Sequence, residues 1–437
     1  MTLINSLNIA RKGLDVNEKK METTSNNITN VNTPGYHKKR TISSSEYYQK
    51  LKGGFGGVKI DKFQRYENNF LLGNLLSSIA KEAGAKQRSD IMGQLEEIVG
   101  EPNGPITTSL NDLYDAFNDL SLNPDGKVEQ KAVLYSAEKL ATNFKAVDRS
   151  IINLRKDTLD GMKMHLSEAN KLLQQVTKYN KAIRNDNEGS NVKDQLETVL
   201  SGLSEFINFK VHWRKDGTVA LTSGGQFIAD KQIATKLEVA TDDDYNIKVI
   251  SGRSGKEVNI TDGKVAAGLE AFNSHIPEAR KVLDELASAI ITEINERHRN
   301  GYSENGAKGS DFFDNSKKTA NSIDLAESIK NNPSNIAASP DGSAAASIAV
   351  IPEETNLTDI LEKKVFDIAL YKKGYDKDAQ RHAAEKSTVE TRYRSDVGVD
   401  LSEEVMEMVK QQRAYQASAQ VLNTIKDMMD VVLGIAR

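Results

Sequence analysis

LSEEVMEMVKQQRAYQASAQVLNTIKDMMDVVLGIAR, residues 401–437, places Leu401, Met408, Tyr415, Leu422, Met429 and Ala436 seven apart. A period of seven lines one stripe of a helix. The second seam, Val405, Gln412, Ala419, Lys426 and Leu433, is half polar. Asp400 and Glu403 have capping-box spacing and predict the helix start. The other end of the chain repeats the arrangement. Leu7, Leu14, Met21 and Ile28 form one good stripe, while Leu3, Ala10, Asn17, Thr24 and Val31 form a mixed one. A helix from Leu3 to Val31 would be roughly 43 Å long. It ends at Thr33-Pro34-Gly35-Tyr36, where Pro34 fixes φ and Gly35 permits φ > 0, a type II turn pattern.

An apolar stripe must be buried against something, and the economical partner of each terminal helix is the other. A well-buried Leu or Met contributes about 1.5–3 kcal/mol. Ordering each helical residue costs about 1–2 kcal/mol of backbone entropy. Half-polar second seams therefore make a lone pair marginal, and neighbouring subunits would secure it. Spacing alone leaves a parallel and an antiparallel coiled coil both open.

Between the ends the pattern is mostly helical. Residues 41–66 read as loop and short strand, with Gly53, Gly54, Gly56 and Gly57 as a flexible turn before Val58, Ile60 and Phe63. Helical spacing runs from Asn68 to about Asp186, broken at Gly100-Glu101-Pro102 and at Asn123-Pro124-Asp125-Gly126. After the second break, Leu140, Phe144, Val147, Ile151 and Leu154 form a stripe. It restarts one residue out of step at Leu159, Met162, Leu166, Ala169, Leu173, Val176 and Ile183, which predicts a shift of the seam around the helix. At Ile207, Phe209, Val211 and Trp213 the period becomes two, and Asp216-Gly217 marks a hairpin. This small β segment is near the lower limit for an independent core. Its loss is expected to be tolerated better than loss of either end. Helix returns at Pro277, a favoured first-turn position, and runs to Gly301. Residues 301–356 read as mostly loop. A further helix carries Ile368, Tyr375, His382 and Val389 at sevens up to Gly398.

The fold class expected is mainly α with a small inserted β domain, in an elongated multidomain chain. Residues 1–35 and 400–437 would form a terminal coiled-coil domain. Residues 36–202 and 263–399 would form a helical middle domain with an N-terminal loop and short-strand segment. Residues 203–262 would form the β domain. Apolar residues are 38% and aromatics 6% of the 437 residues, a composition suited to narrow cores. The formal net charge of −4 gives no electrostatic footprint for nucleic acid. With no cysteine, disulfides and thiolate metal sites are excluded. Leu3–Gly13 is interrupted by Asn5, Asn8, Arg11 and Lys12, so no cleavable signal peptide is read, and no apolar run is long enough to span a membrane.

Ser25-Asn26-Asn27-Ile28-Thr29-Asn30-Val31-Asn32-Thr33-Pro34-Gly35-Tyr36 resembles the N-terminal signature of the bacterial flagellar rod, hook and hook-associated proteins. Val397–Glu404 and Gln411–Ala419 resemble the C-terminal signature of the same axial family. The middle resembles the hook-associated protein 1 family, which joins hook to filament. The residues that carry this are Leu95-Glu96-Glu97-Ile98-Val99-Gly100-Glu101, Asn123-Pro124, Ala132-Val133-Leu134, Ala137–Ala141, Ile294–Tyr302 with Phe312-Phe313, and Asn332–Ser339. The likeness covers nearly the whole chain. Three departures stand out: His37-Lys38 replaces the usual Arg-Gln, Ser395-Asp396-Val397 differs before Gly398, and no further β domain follows Phe313.

The resemblance implies a secreted structural subunit of the flagellum, transiently cytoplasmic, exported unfolded by the flagellar type III system and polymerised at the distal end of the hook. Its implied partners are the hook protein, the next hook-associated protein, further copies of itself in a ring, and an export chaperone on the C-terminal helix. Neither nucleic acid nor membrane insertion is implied. The assembly residues would be Leu7, Leu14, Met21, Ile28, Leu401, Met408, Tyr415, Leu422 and Met429. The signature turn is Asn26, Asn27, Asn30, Asn32, Pro34, Gly35 and Tyr36. The chaperone would take Leu422, Met429 and Leu433. A hook or rod subunit is the alternative, disfavoured by the helical middle. A flagellar enzyme such as a peptidoglycan hydrolase is the second, and it needs paired carboxylates or a nucleophile set.

No catalytic, cofactor or metal constellation is expected. No histidine opens a His-Glu-x-x-His motif. His382 on its seam reads as a packed or edge residue, and His298 near a helix end as one favoured by the helix dipole. Asp242, Asp244 and Asn246 fit calcium-loop positions, but Ile247 and Arg253 stand where Gly and Glu are needed. Gly252–Lys256 reads as a hairpin turn rather than a phosphate loop. Lys38-Lys39-Arg40 reads as a solvated basic run.

Overall fold

A computed structural model of the chain describes residues 3–47, 55–100, 104–185, 190–243, 245–338, 341–355 and 357–435. Gly53, Gly54, Glu101, Pro102, Asp186, Asp244, Ser339 and Ala436, singled out above, lie outside them. The chain is mainly helical. Helix α1 spans Leu3–Thr29 and leads into the antiparallel hairpin of β1 (Lys39–Tyr47) and β2 (Phe55–Arg65). Helices α2 (Asn69–Val99), α3 (Pro105–Leu122), α4 (Lys127–Asn185) and α5 (Ser190–Phe206) follow. Two small antiparallel sheets come next. One has β3 (Lys210–Trp213), β4 (Val219–Ser223) and β5 (Gln226–Ala229), and the other β6 (Leu237–Thr241) and β7 (Ile247–Ser251). Then come α6 (Lys264–Glu270), α7 (Ile276–Asn300), the short α8 (Glu327–Asn331), α9 (Ser343–Ala349) and α10 (Ile351–Glu354), and the long α11 (Leu357–Val397) and α12 (Leu401–Ile435).

Two hydrophobic cores share α4. Its first half, Val133 to Leu154, packs with α3, α7, the second half of α2 and Phe312-Phe313. Its second half, Met162 to Ile183, packs with the first half of α2, with α5 and with the inward faces of the small sheets. The one-residue slip read from the sequence falls where one core hands over to the other. The helix does not break there. Thr158 takes the buried position between Leu154 and Met162, its hydroxyl donating to the Leu154 carbonyl at 2.7 Å. The sheets thus share their core with α4 and α5. Their removal would uncover apolar side chains of both helices.

Residues 301–338 are irregular but held down. Phe312 and Phe313 are fully buried. Asn295 on α7 clamps their backbone, accepting from both N–H groups at 2.9 and 2.8 Å and donating to the Phe313 carbonyl at 2.8 Å. One turn on, His298 Nδ1 donates to the Ser310 carbonyl at 2.6 Å while Nε2 accepts from the Ala337 N–H at 2.9 Å. This fixes a neutral tautomer, and burial lowers its pKa to about 4. His298 is therefore not the dipole-stabilised cation expected, because its ring is sealed from water and spends one nitrogen as an acceptor.

Pro277 does not open a helix either. It lies one residue inside α7, directly after a π-helical turn at Ala271–His275 that continues from α6. A proline clashes with the carbonyl four residues back, and a π turn accommodates the misfit. Helices α2 and α11 run antiparallel, tied by Lys386–Glu82 at 2.7 Å, Ser89–Asp376 and Asn68–Asp396 at 2.7 Å.

Candidate functional site

The two ends of the chain meet. Asn27 Nδ2 donates to Glu404 at 2.9 Å, and Gly13 lies against Ser418. As one helix ascends the other descends, so α1 and α12 pair antiparallel. That register sets Lys20 opposite Gln411 and Ser6 opposite Ile425. On α12 the deepest residues are Glu404, Gln411 and Ile425, with Ser418 half-buried between them, again seven apart. The sequence pattern misplaced the second seam by one residue. Val405 and Leu433 are exposed, as are Gln412 and Lys426, because the inward position at the top of the helix goes to Glu404, held by Asn27 and Lys38.

The stripe residues sit beside this seam. Leu7, Leu14, Met21 and Ile28 are half-buried, as are Met408, Leu422 and Met429, while Leu401 and Tyr415 are exposed. Further apolar side chains of α12 face solvent on both flanks: Met406, Val409, Val421, Met428, Val431 and Val432. A helix apolar on nearly all sides needs more cover than one partner helix gives.

At the top of the pair lies a buried polar junction that the stripes did not reveal. Thr33-Pro34-Gly35-Tyr36 forms the expected turn, with Gly35 at φ 75° and the Tyr36 N–H donating to the Thr33 carbonyl. A Cβ on Gly35 would come within 2.8 Å of the Thr198 hydroxyl. Asn26, Asn32 and Pro34 are exposed, and Asn30 bonds back to the Asn26 carbonyl at 2.9 Å. Asn27 is 1% exposed and uses both ends of its amide. It donates to Glu404 and the Lys39 carbonyl, and accepts from the Lys39 N–H and the Tyr36 hydroxyl, all at 2.9–3.0 Å. Burial, then Asp194 and Glu404, pushes Tyr36 up to about 12.

Lys38 reaches Glu403 at 2.9 Å and Glu404 at 3.0 Å. The basic run is thus not a uniformly solvated face; Lys38 and Lys39 are half-buried and only Arg40 points to water. Asp400 caps α12, accepting from the Ser402 and Glu403 N–H groups at 2.8 and 3.1 Å.

Behind the turn, His37 faces two acceptors, the Tyr66 carbonyl at 2.8 Å and Glu197 at 2.7 Å. Arg65 pairs with Asp194 at 2.7 Å and with Glu197 at 2.8 Å, and Tyr393 donates to Glu197 at 2.6 Å. Burial works to raise the Glu197 pKa, but His37, Arg65 and Tyr393 together hold it below the usual carboxylate range. Burial and Glu197 push the Tyr393 phenol up. Asp194 is raised by burial despite Arg65. The junction ties the signature turn, β2, α5 and the end of α11 into one unit. In the sequence, the signature residues Asn27 and Tyr36 and the departure at His37-Lys38 marked its edge, but not the pairing of Arg65, Asp194, Glu197 and Tyr393.

Gly252–Lys256 is the expected turn, with Gly255 at φ 66°. His382 is partly covered and bonds Glu385 at 3.1 Å. Among the described residues no group of three or more His, Cys, Asp or Glu could hold a metal, and no helix is long and apolar enough to cross a membrane.

This architecture agrees with what the chain is similar to. Residues 7–37 match the flagella basal body rod protein family, and residues 393–435 match the C-terminal family of the flagellar basal body rod FlgEFG proteins. Flagellar hook-associated protein 1 of Bacillus subtilis (strain 168) is 23% identical over 98% of this chain and 97% of its own length. The Escherichia coli (strain K12) protein of the same name is 23% identical over 70% of this chain, which spans 59% of that relative's length. The solved flagellar hook junction protein FlgK from Burkholderia pseudomallei superposes with a TM-score of 0.52 at 19% identity, over 55% of this chain and 46% of that one, a likeness of fold. Residues 92–313, more than half of the chain, match the flagellar hook-associated protein FlgK helical domain, and the chain belongs to that family.

Proposed function

We propose that this chain is a structural subunit of the bacterial flagellum, not an enzyme, that joins the distal end of the hook to the filament. The carrying observation is the apolar surface on the flanks of α12, which α1 leaves uncovered. In this reading residues 1–35 and 400–437 line the inner axis, residues 36–202 and 263–399 form the next layer, and residues 203–262 lie outermost. Hook protein sits on one side, the next hook-associated protein on the other, and further copies of the chain alongside. The subunit travels through the flagellar type III system and works outside the cell. Before export a chaperone covers Leu422, Met429 and Leu433; in the axis neighbouring subunits cover the same surface.

Apolar burial drives both contacts, so Leu422→Asp with Met429→Asp damages both. A charge in a desolvated seam costs several kcal/mol unless paired. Lys426→Asp, at an exposed position, does less harm. The measurements are chaperone affinity by calorimetry and electron microscopy of cells, where hooks without stable filaments are expected. Normal affinity together with normal filaments in the double variant would refute this surface as the assembly surface.

A further inference from the structure

Beside the signature turn, a cleft of about 1500 Å³ opens between one flank of α1, β2, the start of α5 and the β3–β4 turn. Six consecutive residues of β2, Ile60 to Arg65, line it. The register with β1 slips at Asp61, but Lys62 to Arg65 pair regularly; successive strand residues point to opposite faces, so their unbroken run along one wall means that the strand's edge, rather than a face, borders the cleft. Among the described residues that edge is unpaired, since β2 belongs to a two-stranded sheet with β1 on its other side. The Lys39 N–H and carbonyl turn away from β2 to Asn27. Its partner Arg65 therefore turns its own backbone groups outward, as the alternation of an antiparallel ladder requires.

The charge of the cleft is unbalanced. Its five carboxylates are engaged: Glu22 by Lys19 at 2.6 Å, Asp61 by Lys59 at 3.9 Å, Glu67 by Lys193 at 2.7 Å, Asp194 by Arg65 at 2.7 Å and Asp216 by Lys231 at 2.7 Å. Lys62 and Lys215 also line it, and among the described residues neither has a carboxylate within ion-pair distance. Lys39 lines it too, but its ammonium donates to Asn191 and lies over the Tyr36 ring. Aromatic surface is present as well: Phe63 is 49% exposed, and Tyr36 and Trp213 are half-buried.

We propose that this cleft binds an extended peptide of a partner protein, added as a strand to the free edge of β2, in which acidic and apolar residues alternate. Main-chain hydrogen bonds to the edge give such a mode its affinity, and pockets for alternate side chains give it specificity. Here Lys62 and Lys215 face the acidic side chains, and Phe63, on the opposite face of the strand from Lys62, faces the apolar ones with Tyr36 and Trp213.

The test uses the full chain and a short blocked synthetic peptide alternating valine and aspartate. Calorimetry is expected to show saturable binding that weakens with salt. Hydrogen exchange is expected to slow at residues 60–65. Lys62→Glu and Lys215→Glu, both at exposed positions, should each weaken binding about tenfold, the effect of one lost charge-assisted contact. The same peptide N-methylated at alternate residues cannot pair with an edge and should not bind. The proposal is overturned by absence of binding, by equal binding of the N-methylated peptide, or by unchanged exchange at residues 60–65 when the peptide is bound. It is also overturned if two copies of the chain associate through this edge and the peptide does not displace them.

Discussion

Replacing Asn27 by leucine tests whether the polar junction, rather than the apolar stripe, holds the terminal helices in place. The side chain is of similar size, so little volume changes. What is lost is four hydrogen bonds. Glu404 keeps Lys38 at 3.0 Å, and the half-buried Tyr36 hydroxyl can turn toward water. The Lys39 N–H and carbonyl belong to the backbone of β1, cannot rotate away, and are left facing an apolar side chain. A buried polar group without a partner costs about 1–3 kcal/mol, so two cost about 2–5 kcal/mol after partial relaxation. At roughly tenfold per 1.4 kcal/mol, local opening of the junction becomes some ~30-fold to several-thousand-fold more frequent. The assay is hydrogen exchange on the purified chain, comparing peptides covering residues 401–411 with peptides from α4. Exchange at 401–411 is expected to accelerate by that factor while α4 stays unchanged. Asn27→Asp, which sets a second carboxylate against Glu404, should behave similarly and be partly rescued by Glu404→Gln. Unchanged exchange at 401–411 in Asn27→Leu would refute the reasoning, and so would an equal acceleration in α4.

His298 predicts a pH dependence. Its folded value of about 4 lies below the usual 6.5, so its contribution is complete above pH 6.5 and is lost as pH falls toward 4. In urea unfolding, the stability difference between the wild type and His298→Gln should shrink by on the order of 3 kcal/mol between pH 7 and pH 3.5, and a constant difference would remove the assignment. Phe312→Ala should destabilise the first core by about 3–5 kcal/mol, read from the same denaturation, and a loss below about 1 kcal/mol would show that the site collapses around the gap. Replacing residues 208–261 by a short linker strips the cover from Leu196, Leu200 and Leu203, so the variant should bind a hydrophobic dye and associate on size exclusion. A monodisperse, dye-free variant would mean that α4 and α5 close over by themselves.

The helices were legible because their apolar periodicity is strong. The slip near residue 158 was legible too, although it marks a hand-over between two cores and not a supercoil change alone. Hairpin β1–β2 was read only in part, since Ser43-Ser44-Ser45 lacks the alternation that announces a strand. The buried seam of α12 was misplaced because Glu404, Gln411 and Ser418 are polar, and a stripe count assigns polar residues to solvent. Periodicity also carries no information about pairing across hundreds of residues. Hence Asn27 with Glu404, and His37, Arg65, Asp194, Glu197 and Tyr393 as one group, could not be assembled from spacing. The family resemblance did mark Asn27, Asn295 and His298 within its motifs. Only geometry showed that each holds backbone in place: Asn27 that of Lys39, Asn295 that of Phe312-Phe313, and His298 that of Ser310 and Ala337.

The antiparallel clasp of α1 and α12 makes everything between Thr29 and Leu401 a single excursion that leaves and returns at one place. The antiparallel packing of α2 on α11 already holds the two ends of that excursion side by side, so length added farther out does not change the distance the clasp must close. Whole modules can therefore be gained or shed along the way with scarcely any effect on the clasp. Tags or reporter domains belong in the excursion, not at the termini.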